Sequence, residues 1–141
     1  MKNILVPVDG SDSSMRAVEY LLKLTAAFKV DEIHLINVQD AVSSLESQDC
    51  WTAEQCVAAQ RQAGEAALAA ARKRIDAAGM ACTAELVIGP VAQTIADFAR
   101  EWQCDLIVMG TRGMGVIGNL LMGSVATKVV HLADVPVMLV K

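Results

Sequence analysis

Gly110-Thr111-Arg112-Gly113, then nine residues, then Gly123-Ser124 is the stretch of this chain best suited to chemistry. It follows the apolar run Leu106-Ile107-Val108-Met109 and leads into a helical segment, so the glycines lie between the end of a buried strand and the start of a helix. Glycine lets backbone N–H groups approach an anion with no Cβ in the way, and the unpaired N–H groups of a helix start add donors and a partial positive charge. That combination favours phosphate binding, with Ser124 contributing a hydroxyl. The plainer alternative is a glycine-rich surface loop ended by a serine helix cap. An earlier polar cluster, Asp9-Gly10-Ser11-Asp12-Ser13-Ser14, closes another apolar run and strengthens the first reading.

Strand and helix signals alternate around these loops. Residues 4–8 form a nearly continuous apolar run, the mark of a strand covered on both faces. Met15, Val18, Leu21, Leu22, Thr25 and Phe28 recur at helical spacing and predict one buried stripe. A second strand is expected over 33–38, a polar irregular stretch over 39–52, and an alanine-rich helix over 53–78 stopped by Gly79. A third strand over 81–88 meets Gly89-Pro90, which turns the chain into a helix over 91–103 with Ile95, Phe98, Ala99 and Trp102 inward. A fourth strand over 106–109, a helix over 124–133 and a fifth strand over 135–140 complete the pattern. Strict alternation predicts a single α/β domain over 1–141, a doubly wound five-stranded parallel sheet with helices on both faces. In the order 3-2-1-4-5 the first and fourth strands are neighbours where the winding reverses. The Asp9 and Gly110 loops then face each other across one crevice, the place where such sheets bind ligands.

Composition narrows the partners. The chain has 141 residues, 54% apolar and 20% charged, the balance of one compact domain. Aromatic residues are only 4%, so there is no stacking platform for single-stranded nucleic acid. A formal net charge of −4 argues against nucleic acid and against an anionic membrane surface. No run approaches the ~18 apolar residues of a membrane span, and the apolar part of the first residues is too short for a signal peptide, so a cytoplasmic location is expected. Cys50, Cys56, Cys82 and Cys104 make no C-x-x-C pair, and with only His34 and His131 to join them no metal site is expected; the cysteines read as free thiols in a reducing compartment.

Three phosphate motifs can be tried on the glycine loop. Residues 113–118 satisfy G-x-G-x-x-G, but after the fourth strand rather than the first, with too little chain beyond to supply a ribose-binding acid. Residues 118–124 have the glycine spacing of a Walker A loop, but Ser124 stands where the phosphate-neutralising lysine is needed. The third comparison succeeds. G-x-x-G-x9-G-[S/T] at Gly110, Gly113, Gly123 and Ser124, with Val6-Pro7-Val8-Asp9-Gly10-Ser11 at the start and Val135-Pro136-Val137-Met138-Leu139-Val140 at the end, closely resembles the ATP-binding branch of the universal stress protein family over essentially the whole chain.

The resemblance implies an adenine nucleotide alpha hydrolase-like fold, a cytoplasmic homodimer and a bound ATP. By position, Asp9 would contact ribose with Pro7 and Val8 lining the pocket, and Val38 would meet adenine through its backbone. Gly110 would lie near ribose, Gly113, Gly123, Ser124 and Val125 would hold phosphates, and Met109 would pack beneath. Arg112 matches a variable position of the motif, and either reaches phosphate or is a solvated arginine. Asp9 alternatively caps the turn beside Gly10, and Ser124 is expected to cap its helix when no nucleotide is bound. Asp12 with Ser13 and Ser14 is a helix start whose carboxylate could also orient Mg²⁺ through water.

One firm carboxylate and no obligatory lysine are a poor outfit for phosphoryl transfer. The expected function is therefore not enzymatic: a nucleotide-dependent regulator in a stress response, holding ATP with Mg²⁺, hydrolysing it slowly if at all, and showing its bound state to an unidentified protein partner. The last strand, an apolar edge guarded only by Pro136 and Lys141, is expected to pair with its copy in a homodimer. Two alternatives stand beside this. Asp9-Gly10-Ser11-Asp12-Ser13 loosely resembles the S-G-G-x-D-S loop of ATP pyrophosphatases and adenylating enzymes, without its leading Ser-Gly-Gly. A fold relative that works only as an interaction module is the other.

Overall fold

The computed structural model describes residues 1–41, 52–112 and 122–141. In chain order the elements are β1 (Asn3–Pro7), α1 (Asp12–Leu24), β2 (Glu32–Gln39), α2 (Ala53–Ala77), β3 (Cys82–Ile88), α3 (Val91–Glu101), β4 (Leu106–Gly110), α4 (Ser124–Leu132) and β5 (Val137–Val140). The strands form one five-stranded sheet in the order β3-β2-β1-β4-β5, and every neighbouring pair is parallel. None of the helices among the described residues is long and apolar enough to cross a membrane.

The apolar runs of the central strands are continuous because both faces are covered. Ile4, Val6 and Val8 join Ile33, Leu35, Leu106 and Val108 in a core completed by Ala17, Val18 and Leu21 of α1 and by Leu68, Ala71 and Ile75 of α2. Leu5, Ile36, Ile107 and Met109 form the opposite core, with Ala92, Ile95 and Ala99 of α3 and Ala126 and Val129 of α4. Helices α1 and α2 thus cover one face and α3 and α4 the other, so the winding reverses between β1 and β4, as the alternation predicts. Asp105 fixes the start of that central pair: its carboxylate accepts from the N–H groups of Lys2 (2.6 Å) and Asn3 (3.2 Å), which hold it below its usual pKa, while its own N–H donates to the Asn3 carbonyl (2.8 Å).

Most boundaries lie within one residue of expectation, and three larger differences have a physical reason. β5 begins at Val137 rather than 135, because Pro136 has no N–H and contributes only its carbonyl, which accepts from Ile107 (3.0 Å). The stripe of α1 outlives its helix: Thr25 is the C-cap, and Phe28 packs against the core from beyond it. α3 ends at Glu101, two residues early, in a Schellman turn with Gln103 N–H on the Arg100 carbonyl (3.2 Å) and Cys104 N–H on the Ala99 carbonyl (2.9 Å). Gly79 fills the left-handed position of the same turn after α2, with φ +72°, whereas after α3 it is filled by Gln103 at φ +50°. Relieving that strain, Gln103→Gly should stabilise the fold by up to about 1 kcal/mol, measurable as a raised urea midpoint.

Candidate functional site

The site is best read from where the β1 ladders stop. Toward β4 the register runs Ile4↔Leu106 and Leu5↔Ile107 and ends before Pro7, which has no N–H to offer. Toward β2 it runs to Pro7↔Ile36, with one further bond from Val8 N–H to the Ile36 carbonyl (2.9 Å). The end of β1 is therefore released toward β4 at the winding reversal while it stays paired to β2 as far as Val8. Beyond it, Gly10 adopts φ +85°, a conformation that side chains rarely adopt, and carries the chain from β1 into α1.

Asp9 lies exposed in this turn, and its Oδ1 accepts from Ser11 N–H (2.9 Å), an Asx turn of the kind a capping role predicts. The start of α1 is capped from within the chain. Ser11 is the N-cap, its Oγ accepting from Ser14 N–H (3.1 Å), and the hydroxyl of Ser13 accepts from Arg112 N–H (3.3 Å) across the crevice. That last bond depends on Gly110: a Cβ there would collide with the Ser13 hydroxyl and stand 2.7 Å from its carbonyl carbon. Glycine at 110 thus seats the start of α1 directly on the end of β4.

The start of α4 is different. Its N-cap is Gly123, in extended conformation at φ −70° and ψ 162°, and a glycine has no side chain with which to satisfy the first N–H groups of the helix. Ser124, expected as the cap, is instead the first helical residue. The shift follows from Gly123 N–H being pinned to the Thr111 carbonyl (2.5 Å), while Thr111 N–H donates to the Val140 carbonyl (3.0 Å). Thr111 is buried, and by these two bonds it fastens the start of α4 to the ends of β4 and β5. Val125 and the buried Met109 pack in the core beneath.

Val38 lies near the end of β2. Parallel strands turn alternate residues to opposite neighbours; Ile36 bonds toward β1 and Gln39 toward Gly89 after β3, so the N–H and C=O of Val38 turn toward β1, past its last rung. Asn37 Nδ2 donates to the Val8 carbonyl (2.8 Å) and ties the two strand ends together.

Pro7, Val8, Asp9, Met109, Gly110, Arg112, Gly123, Ser124 and Val125 thus come together at the carboxyl ends of β1 and β4 and the start of α4, with Val38 on the neighbouring strand end. Gly113 lies outside the described residues, as does the G-x-G-x-x-G match that begins with it. Arg112 is exposed beside the crevice, and Lys128 and His131 are exposed along α4. Sequence reasoning missed the supports Asn37 and Thr111 and read Ser13 only as part of a helix start. A polar residue inside the apolar run 33–38 was the available signal for Asn37.

Among the described residues no group of three or more His, Cys, Asp or Glu side chains could hold a metal ion. Cys56, Cys82 and Cys104 are free thiols, and burial pushes Cys82 and Cys104 up to about 11, so both stay protonated and weakly nucleophilic at neutral pH. Cys50 lies outside the described residues.

The sequence profile of the Universal stress protein family matches residues 1–141. Universal stress protein MJ0531 of Methanocaldococcus jannaschii is 33% identical over 142 residues, covering 99% of this chain and 82% of that protein. Among solved structures, hypothetical protein MJ0577 superposes with a TM-score of 0.84 at 24% identity, covering 99% of this chain and 95% of that one, a likeness of fold. A universal stress protein in complex with cAMP superposes with a TM-score of 0.73 at 28% identity, covering 99% and 97%. With the profile spanning every residue and the 3-2-1-4-5 sheet in place, the chain belongs to the universal stress protein family.

Proposed function

We propose that this protein is an adenine-nucleotide-binding regulator, with ATP as its ligand, Mg²⁺ carried on the phosphates and any hydrolysis slow. The observation that carries the reading is the contrast between two helix starts at one crevice. α1 is capped by Ser11, whereas α4 begins at a bare glycine. An anion is the natural partner of the second. The same contrast weighs against the ATP pyrophosphatase alternative, whose phosphate grip would have to come from the Asp9–Ser13 loop, where Ser11 N–H, Ser11 Oγ and Ser13 Oγ already serve internal bonds. The complex of the cAMP-bound relative supports an adenine nucleotide in this fold.

In this reading Asp9 receives ribose against Pro7 and Val8, the Val38 backbone meets adenine, Gly110 lies by the ribose, and Gly113, Gly123, Ser124 and Val125 take the phosphates, with Arg112 beside them and Met109 beneath. Scarce cationic side chains at the phosphate end are the reason to expect Mg²⁺. Ligand bound only to the folded state at ~100 times its dissociation constant should add ~2.7 kcal/mol of stability. Melting curves with MgATP and MgGTP test this: a shift with ATP and a smaller one with GTP is expected, and no shift, or equal shifts, would refute it.

The same reading makes the whole chain one cytoplasmic domain that acts as a homodimer and presents its nucleotide state to a protein partner. β5 pairs with β4 alone among the described strands, and Val137 and Leu139 turn their peptide groups away from β4, because Val140 turns its own toward it. Antiparallel pairing of two such edges about a two-fold axis would satisfy them. Sedimentation at micromolar concentration should show a dimer; a monomer with and without ATP would refute this part.

A further inference from the structure

Asn37 is 4% exposed, on the face of β2 where Ile33 and Leu35 belong to the apolar core. Its Nδ2 reaches the Val8 carbonyl, but its Oδ1 has no hydrogen-bond partner among the described residues. It is also tightly held, since a Cβ on Gly64 of α2 would stand 2.5 Å from that oxygen. A buried carboxamide with an unpaired oxygen is destabilising, and a leucine of nearly the same shape would avoid the penalty. The compensation lies in the ladder. After Val8 N–H on the Ile36 carbonyl, the next rung of a parallel pair is Val38 N–H on the Val8 carbonyl. That rung is absent, and the Asn37 side chain occupies its acceptor.

We propose that Asn37 is a positioning residue for base recognition: by capping the Val8 carbonyl it withholds the Val38 N–H from the sheet and keeps that N–H, with the neighbouring Val38 carbonyl, for the edge of a purine. The inference rests on the adenine-nucleotide reading above. A strand residue presents a donor beside an acceptor. Adenine answers with N1 as acceptor and the N6 amino group as donor, whereas guanine presents the reverse pair, O6 and N1–H. With ribose held at Asp9 the base cannot turn over to correct the mismatch. Without Asn37 the Val8 carbonyl recaptures Val38 N–H, the ladder gains a rung, and the adenine edge loses its donor.

Isothermal titration of the parent and of Asn37→Leu with MgATP, MgGTP and magnesium tripolyphosphate tests this. The variant should bind ATP about tenfold more weakly, with the ATP-to-GTP preference reduced by the same factor and tripolyphosphate affinity unchanged. An unaltered preference in folded variant, or tripolyphosphate affinity lost in step with ATP, would overturn the inference while leaving the nucleotide reading intact. A parent that binds neither nucleotide would overturn both. Hydrogen exchange in the parent decides the matter even if the variant does not fold: without nucleotide the Val38 amide should exchange much faster than Ile36, and MgATP should slow it. Equal protection of the two amides in nucleotide-free protein would contradict the proposal.

Discussion

Gly123→Val should leave the fold standing and remove ATP binding. At φ −70° and ψ 162° the backbone of Gly123 is one that valine adopts freely, so the substitution introduces no backbone strain and costs the helix start only about 1 kcal/mol of capping preference. In the proposed site, however, a branched side chain at the mouth of α4 would crowd the approach of phosphate oxygens to the first N–H groups. Losing two bonds to charged oxygens amounts to about 3 kcal/mol, or more than about a hundredfold in affinity. Ser124→Ala is the milder companion: because Ser124 is not the cap, its loss should leave stability unchanged and weaken ATP only by one hydroxyl contact. Titration with MgATP beside circular dichroism checks both. A purely structural loop predicts no change in binding for either variant.

Gly110→Ala should damage stability and binding together. The added methyl would meet the hydroxyl, the carbonyl carbon and the carbonyl oxygen of Ser13, and two of those three atoms are backbone that cannot swing aside. α1 must then lift from β4, at a cost of about 3 kcal/mol, which for a domain of this size lowers the melting temperature by roughly 10 °C. Lifting α1 also breaks the Arg112 N–H bond to Ser13 and parts the two loops that make the crevice, so ATP affinity falls even where the variant is folded. Ser13→Ala separates the two effects, since it loses the Arg112 bond without the clash and should give the smaller change in melting temperature. Equal melting temperatures for the parent and Gly110→Ala would show that the close approach of α1 is not required.

The alternation of strands and helices was readable because each central strand is an unbroken apolar run and each helix has an apolar stripe, patterns that burial imposes along the chain itself. The strand order followed from one topological argument, and β3-β2-β1-β4-β5 agrees with it. Ends were less legible. Gln103 ends α3 in a left-handed conformation usually marked by glycine, so the helix was expected to run two residues too far. Serine commonly caps a helix, which makes Ser124 the expected cap; what displaces it by one residue is the bond from Gly123 N–H to the Thr111 carbonyl, a tertiary contact with no local signature. The parts played by Asn37 and Ser13 are hidden for the same reason: a polar residue stands out in the apolar run 33–38, but each side chain acts on the backbone of a different element, at Val8 and at Arg112, and neither spacing nor composition encodes such pairings.

The central claim is that an adenine nucleotide lies across the carboxyl ends of β1 and β4 with its phosphates at the start of α4. The most direct measurement is the map of backbone amide shifts in isotope-labelled protein on adding MgATP. The largest shifts should fall on Val8 to Gly10, Val38, Gly110 to Arg112 and Gly123 to Val125, with MgGTP moving the same phosphate-end amides but not Val38. Shifts centred on Ser11 to Ser14 with Gly123 to Val125 unmoved would contradict the account.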